Sequence, residues 1–142
     1  MSEPNAEEVQ RLFSAAPFIA QLGLRLVSIG SGECRTALIL AERHLQQDGF
    51  VHAGVHATIA DHTAGAAAAS LVGEGQYVLS VEFKINMLRA ARGTELNCVA
   101  KVLKAGRTLI VAESEVTCAS EQGERLVSKA TVTLAVVSRQ RS

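Results

Sequence analysis

The chain has no tryptophan, one tyrosine and four phenylalanines in 142 residues, which excludes a core of stacked rings. Its 48% hydrophobic content must therefore come from Val, Leu, Ile and Ala, and these favour small, close-packed elements. Proline is scarce as well, two residues against 11 glycines, so regular elements can run long and glycine marks the turns. Neither sign of charge is in excess: 14 Lys and Arg balance 14 Asp and Glu, which excludes the broadly basic surface of a nucleic-acid binder. Self-association and a small-molecule ligand fit that balance better. No apolar run approaches the roughly 20 residues that span a bilayer, so no membrane partner is expected. The first ten residues carry Glu3, Glu7 and Glu8 where an export signal needs a basic and then an apolar segment. Cys34, Cys98 and Cys118 are odd in number, far apart and not in a CxxC arrangement. They read as reduced, partly buried thiols of a cytoplasmic protein.

The length suits one domain over residues 1–142, with a core over about 18–138. Val9, Leu12 and Phe13 recur at helical spacing, which predicts a short helix over Asn5–Ala15 that ends before Pro17. Leu24–Ile29 and Cys34–Leu40 read as strands, with Gly30-Ser31-Gly32 as their hairpin turn. Ala53–Leu71 is dominated by alanine and lacks proline, so it reads as a long helix. After Gly73-Glu74-Gly75 the period becomes two: Tyr77, Leu79, Val81, Phe83, Ile85 and Met87 alternate with Ser80, Glu82, Lys84 and Asn86. Three further alternating rows begin at Leu96, Ile110 and Ala130, with turns at Ala105-Gly106-Arg107 and Glu121-Gln122-Gly123-Glu124. The second half is expected to be an antiparallel meander, and the whole an α+β domain: one antiparallel sheet wrapped around one long helix, with a short N-terminal helix. Ala57, Ala60, Ala64, Gly65 and Ala66 to Ala69 let a sheet approach that helix closely.

Asp61 stands out because it interrupts a helix otherwise apolar or small, and charged groups are seldom buried without a partner. Periodicity alone also allows a solvated stripe shared with His62 and Thr63. His52 and His56 are four residues apart, but HAGVH lacks the glutamate of HExxH and no third ligand is at hand, so no metal is expected.

The stretch VHAGVHATIADHTAGAAAA resembles the hot-dog-fold acyl-CoA thioesterases of the phenylacetate-pathway (PaaI) type, whose signature is His-Gly-Gly followed by a helical Asp or Glu. The resemblance extends from about Phe18 to Val137 in the order and length of elements. His52, Gly54 and Asp61 match the motif, Ala53 replaces its first glycine, and Gln46 stands where many members have Asn. The resemblance implies a hot-dog fold and hydrolysis of acyl-CoA or aryl-CoA thioesters without a cofactor, coenzyme A being part of the substrate. It also implies that the Ala53 and Gly54 amides hold the developing oxyanion, and that Asp61 serves as base or nucleophile. Gln46 and Ser80 would help to hold the attacking water. His52 would contact the thioester or fix the loop, or would only cap the helix. Arg89, Arg92 and Arg107 are loop cations able to meet a coenzyme A phosphate.

A helix N-terminus, with unsatisfied N–H groups and partial positive charge, suits an oxygen that becomes negative. Asp61 is seven residues beyond Gly54, however, about 10 Å along one helix, so the two cannot meet on one carbonyl. A site using both needs two chains, and the expectation is a homodimer, with two dimers forming a tetramer as the resemblance implies. Two other readings compete: a non-catalytic acyl-CoA-binding module, and a hot-dog dehydratase or hydratase pairing His52 with Asp61.

Overall fold

The computed structural model describes residues 11–139. Residues 11–14 are helical, and residues 5–10 of the expected leading helix lie outside the described ones. A second helix, α1 (Pro17–Leu22), follows at once. The leading helix ends before Pro17, as expected, and Pro17 opens this second one, at a position where its missing N–H has no intrahelical acceptor to lose. Strands β1 (Arg25–Gly30) and β2 (Glu33–Ile39) form the expected hairpin. Its two central residues, Ser31 and Gly32, have φ of 54° and 80°, the left-handed pair that matches a tight hairpin to the twist of its strands.

A short 3-10 turn, Glu42–His44, leads to the central helix α2 (Ala53–Ala69), followed by β3 (Gln76–Met87), β4 (Glu95–Ala105), β5 (Leu109–Ser120) and β6 (Gly123–Ser138). All six strands make one antiparallel sheet in the order β1-β2-β4-β5-β6-β3. Helix α2 packs on this sheet through Ile59, Ala60, Ala64, Ala67 and Ala68, each at most 1% exposed. Side chains this small bring the helix backbone within reach of the strands: Ser114 Oγ on β5 donates 2.7 Å to the Ala60 carbonyl, and Thr36 and Thr63 share a 2.8 Å hydroxyl bond. These buried polar groups are thus satisfied at the helix–sheet contact.

The expected meander holds for β4, β5 and β6 and is corrected at β3. Strand β4 has β2 and β5 on its two sides, and β3 pairs with β6 at the far edge. Strands β3 and β4 stand three spacings apart, about 14 Å, which the seven-residue connection 88–94 can span. It runs across the strand ends, with the Leu88 and Arg89 amides donating to Val127 and the Thr94 amide to Ala119. Gly93 is needed there, because a Cβ would fall against the Ala119 carbonyl oxygen and Cys118 Sγ.

The period-two reading of β3 is corrected too. A bulge between Ser80 and Glu82 reverses the alternation, so that Val78 and Ser80 before it share a face with Phe83 and Ile85 after it. These pair with Val136, Leu134, Val132 and Ala130 of β6, of which the last three are buried against α2. The strand is also less covered than its apolar row suggests: Leu79, Val81, Phe83 and Met87 are 42–60% exposed along this unpaired edge.

Candidate active site

Asp61 lies midway along α2 and is half-buried. Its Oδ1 accepts a 2.6 Å hydrogen bond from Ser80 Oγ, which the β3 bulge turns toward the helix. The carboxylate lines a cavity of about 740 Å³ that extends over the outer face of α2 between the sheet edges β1 and β3. A second cavity, about 340 Å³, lies on the N-terminal side between Phe18 of α1, Ala57 and Thr58 of α2, and Phe83 of β3. Asp61 and His62 line both. The larger one falls within the range of ligand-binding clefts, about 300–1,000 Å³. The partner that a charged residue on this helix calls for is therefore a strand hydroxyl at the junction of two cavities.

His62 has its ring edge-on to Phe13, 4.6 Å between centroids. Its Nε2 is shielded from water and has no hydrogen-bond partner among the described residues. Burial lowers its pKa, partly offset by a hydrogen bond to the Phe13 backbone and by the Asp61 charge. From sequence His62 reads as structural or at the rim of the site, with no role assigned, and Phe13 only as part of the leading helix; their contact joins segments 49 positions apart.

The helix start is built on a separate set of bonds. His52 caps α2, its Nδ1 accepting 2.8 Å from the Gly54 amide. The Val55 amide donates to the His52 carbonyl, so Ala53 keeps the one first-turn N–H without a hydrogen bond among the described residues. Gln46 Oε1 accepts from the Asp48 and Phe50 amides and so folds the loop that enters the helix. Arg92 completes that loop: its guanidinium donates 3.2 Å to the Asp48 carbonyl and lies 4.9 Å above the Phe50 ring. Arg89 is exposed in the same connection, whereas Arg107 lies in the β4–β5 turn at the other end of the sheet.

The structure thus groups Gln46, His52, Ala53, Gly54 and Arg92 at the helix start, and Asp61 with Ser80 at mid-helix. Helix α2 is continuous between the two groups, so the separation of about 10 Å along its axis stands. Among the described residues no group of three His, Cys, Asp or Glu side chains could hold a metal. The thiols are unpaired and buried; burial pushes Cys34 up to about 12 and Cys98 to about 11, so neither is a thiolate nucleophile near neutral pH.

This combination of one antiparallel sheet, one long helix and a helical carboxylate in a cavity meets a clear counterpart: the thioesterase superfamily profile matches residues 48–125. The chain belongs to the thioesterase superfamily, has its hot-dog fold, and is a thioester hydrolase. A thioesterase family protein from Silicibacter pomeroyi is similar to it at 36% identity and a TM-score of 0.90, over 94% of this chain and 98% of that one. A conserved protein from Pseudomonas aeruginosa is similar at 35% identity and a TM-score of 0.81, over 89% of this chain and 98% of that one. The 1,4-dihydroxy-2-naphthoyl-CoA hydrolase of Listeria monocytogenes is 26% identical over 115 residues, 81% of this chain and 91% of that protein.

Proposed function

We propose that the protein hydrolyses acyl-CoA thioesters at a site shared by two subunits, in the manner of the phenylacetate-pathway type. The observation that carries this reading is the Asp61 carboxylate, held by Ser80 in the wall of a large cavity. Water attacks the thioester carbonyl, and Asp61 takes its proton as the oxygen bonds to carbon. The tetrahedral oxyanion is held by the N–H groups of Ala53 and Gly54 of the second subunit, at the positive end of that helix. The C–S bond then breaks, the electron pair leaves on the sulfur of coenzyme A, and the thiolate collects a proton. In the variant route the Asp61 oxygen attacks first and water opens the resulting anhydride. Transfer of label from heavy-oxygen water into Asp61 in a single turnover marks this second route.

Ser80 orients the carboxylate and the water, and Gln46 and His52 shape the helix start around the thioester. For Gly54 to bind the oxyanion its N–H must exchange the His52 ring for substrate, whereas the Ala53 N–H is without a partner among the described residues. Arg89 is the better-placed cation for a coenzyme A phosphate, since Arg92 is committed to Asp48 and Phe50. The exposed β3 edge, twelve residues long and rich in large apolar side chains, is the surface along which a second copy pairs to form the dimer. Thiol release from an acyl-CoA panel tests the reading: the wild type releases coenzyme A and Asp61→Asn, equal in volume, does not. Activity of a folded Asp61→Asn within a few-fold of wild type removes Asp61 from the mechanism.

A further inference from the structure

Resting on the hydrolase reading, we infer that the larger cavity selects a straight aliphatic acyl group of about ten carbons, laid along α2 from Asp61 toward the helix C-terminus. The floor of the cavity follows the helix through Asp61, Gly65, Ala66, Ala69 and Ser70. Nine residues separate its ends, so it is about 13 Å long. Its near end is marked by the carboxylate. Its far end is closed by the β1–β2 hairpin, because the Gly32 amide donates 2.9 Å to Ser70 Oγ and Ser70 Oγ in turn donates to the Ala67 carbonyl. An extended chain advances about 1.2 Å per bond, so roughly ten bonds fill the length between these stops.

The walls give the chemistry of the occupant. They are mainly aliphatic, with Leu26 and Ile29 from β1, Val78 and Leu79 from β3, and Leu134 from β6; the Phe13 and His62 rings sit near the carboxylate, and Ser28, Ser31 and Ser80 add hydroxyls. Small residues along the floor leave a long trough, which a flexible alkyl chain fills along its whole length and a fused ring system fills only near the carboxylate. The smaller cavity begins at the same carboxylate and extends toward the start of α2 past Ala57 and Thr58. With the scissile carbonyl at the junction, the alkyl tail occupies the larger cavity and the thiol-side arm of the substrate the smaller.

The test is the hydrolysis of a series of straight-chain acyl-CoAs from butanoyl to hexadecanoyl, with benzoyl-CoA and a naphthoyl-CoA beside it, by the wild type, Ala69→Leu and Ala57→Leu. Ala69 is exposed on the helix, so leucine there fits without disturbing the core. In the wild type kcat/KM rises with length, by up to about fourfold for each further buried methylene, and stops rising near decanoyl. Ala69→Leu lowers the decanoyl-to-butanoyl ratio of kcat/KM by about tenfold or more. Ala57→Leu raises KM by a similar factor at every length. A length-independent kcat/KM, a tenfold preference for either aryl substrate over decanoyl, or an unchanged ratio in Ala69→Leu overturns the assignment. Calorimetric binding of the same acyl-CoAs to Asp61→Asn separates the two readings. Length-dependent binding with no hydrolysis by the wild type refutes the hydrolase and keeps the trough, whereas hydrolysis without length dependence does the reverse.

Discussion

Ser80 Oγ on strand β3 and Asp61 Oδ1 on helix α2 are joined by a 2.6 Å hydrogen bond between residues 19 positions apart. The bond depends on one backbone irregularity, the bulge that turns Ser80 inward, and it fixes the orientation of the one carboxylate in the larger cavity. Replacing Ser80 by Ala removes a charge-assisted bond but leaves the carboxylate in place. Steady-state kinetics of Ser80→Ala should show kcat reduced by about tenfold with KM little changed, against a loss of 10²-fold or more in Asp61→Asn.

Subunit complementation addresses the shared site. Asp61→Asn lacks the carboxylate, and Gly54→Pro lacks the Gly54 N–H and with it the bond to the His52 cap, while no bond inside the helix is lost. Each variant alone should be inactive. Mixed in equal amounts and allowed to exchange, they should regain about a quarter of wild-type activity, because half the dimers are mixed and each mixed dimer has one intact site. Verified mixed dimers without activity, or a monomer that turns over in light scattering, contradict the arrangement.

Gln46 serves the loop before α2 through one atom, Oε1, which accepts from two backbone amides. Gln46→Ala leaves the Asp48 and Phe50 N–H groups without their acceptor, at about 1–2 kcal/mol. Hydrogen exchange at Asp48 and Phe50 should speed up by tenfold or more, with a smaller change in global melting temperature.

Stability should fall as the solution is acidified below neutral. His56 is buried, bonded to Ser128 Oγ at 2.9 Å, and its pKa is lowered by burial; His62 is lowered for the same first reason. Above about pH 6.5, the value in the unfolded chain, both forms are neutral and there is no penalty. Below it the unfolded chain takes up protons first, so stability declines until the pH passes the lower folded values. Melting temperature measured from pH 8 to pH 5 should drop, and His56→Gln should flatten that drop.

Gly93 offers a test of the crossover. Gly93→Ala places a methyl against the Ala119 carbonyl and Cys118 Sγ, which must move apart. A destabilisation of about 2 kcal/mol or more is expected by denaturant titration, with the connection 88–94 as the first segment to lose exchange protection.

Local chemistry was enough for much of the fold. The alanine-rich, proline-free segment around Asp61 favours a helix by local propensity, Ser31-Gly32 can close a hairpin, and four alternating rows are strands. One charge on a small-residue helix is legible as a site because it is costly without a purpose. The resemblance supplied His52, Gly54 and Ser80 as positions, but not the bonds they make.

What required the tertiary structure is whatever depends on distance in space between segments remote in sequence. Strand order was set by the connection 88–94 crossing two strand ends, which no alternation encodes, since β3 has the same pattern beside β4 or beside β6. The face of Ser80 was set by a bulge, one extra residue that shifts a period-two row without altering its composition. Arg92 has the composition of a free loop cation and is spent on Asp48 and Phe50 because the chain returns there. The cavity belongs to no segment: it is the gap between two sheet edges over a helix face of small side chains, and its length is set by where the β1–β2 hairpin meets Ser70. Sequence by itself determined the elements and the carboxylate, because propensity and charge act locally. Tertiary structure decided which hydroxyl, which edge and how much space surround that carboxylate, because packing acts between segments that the chain order keeps apart.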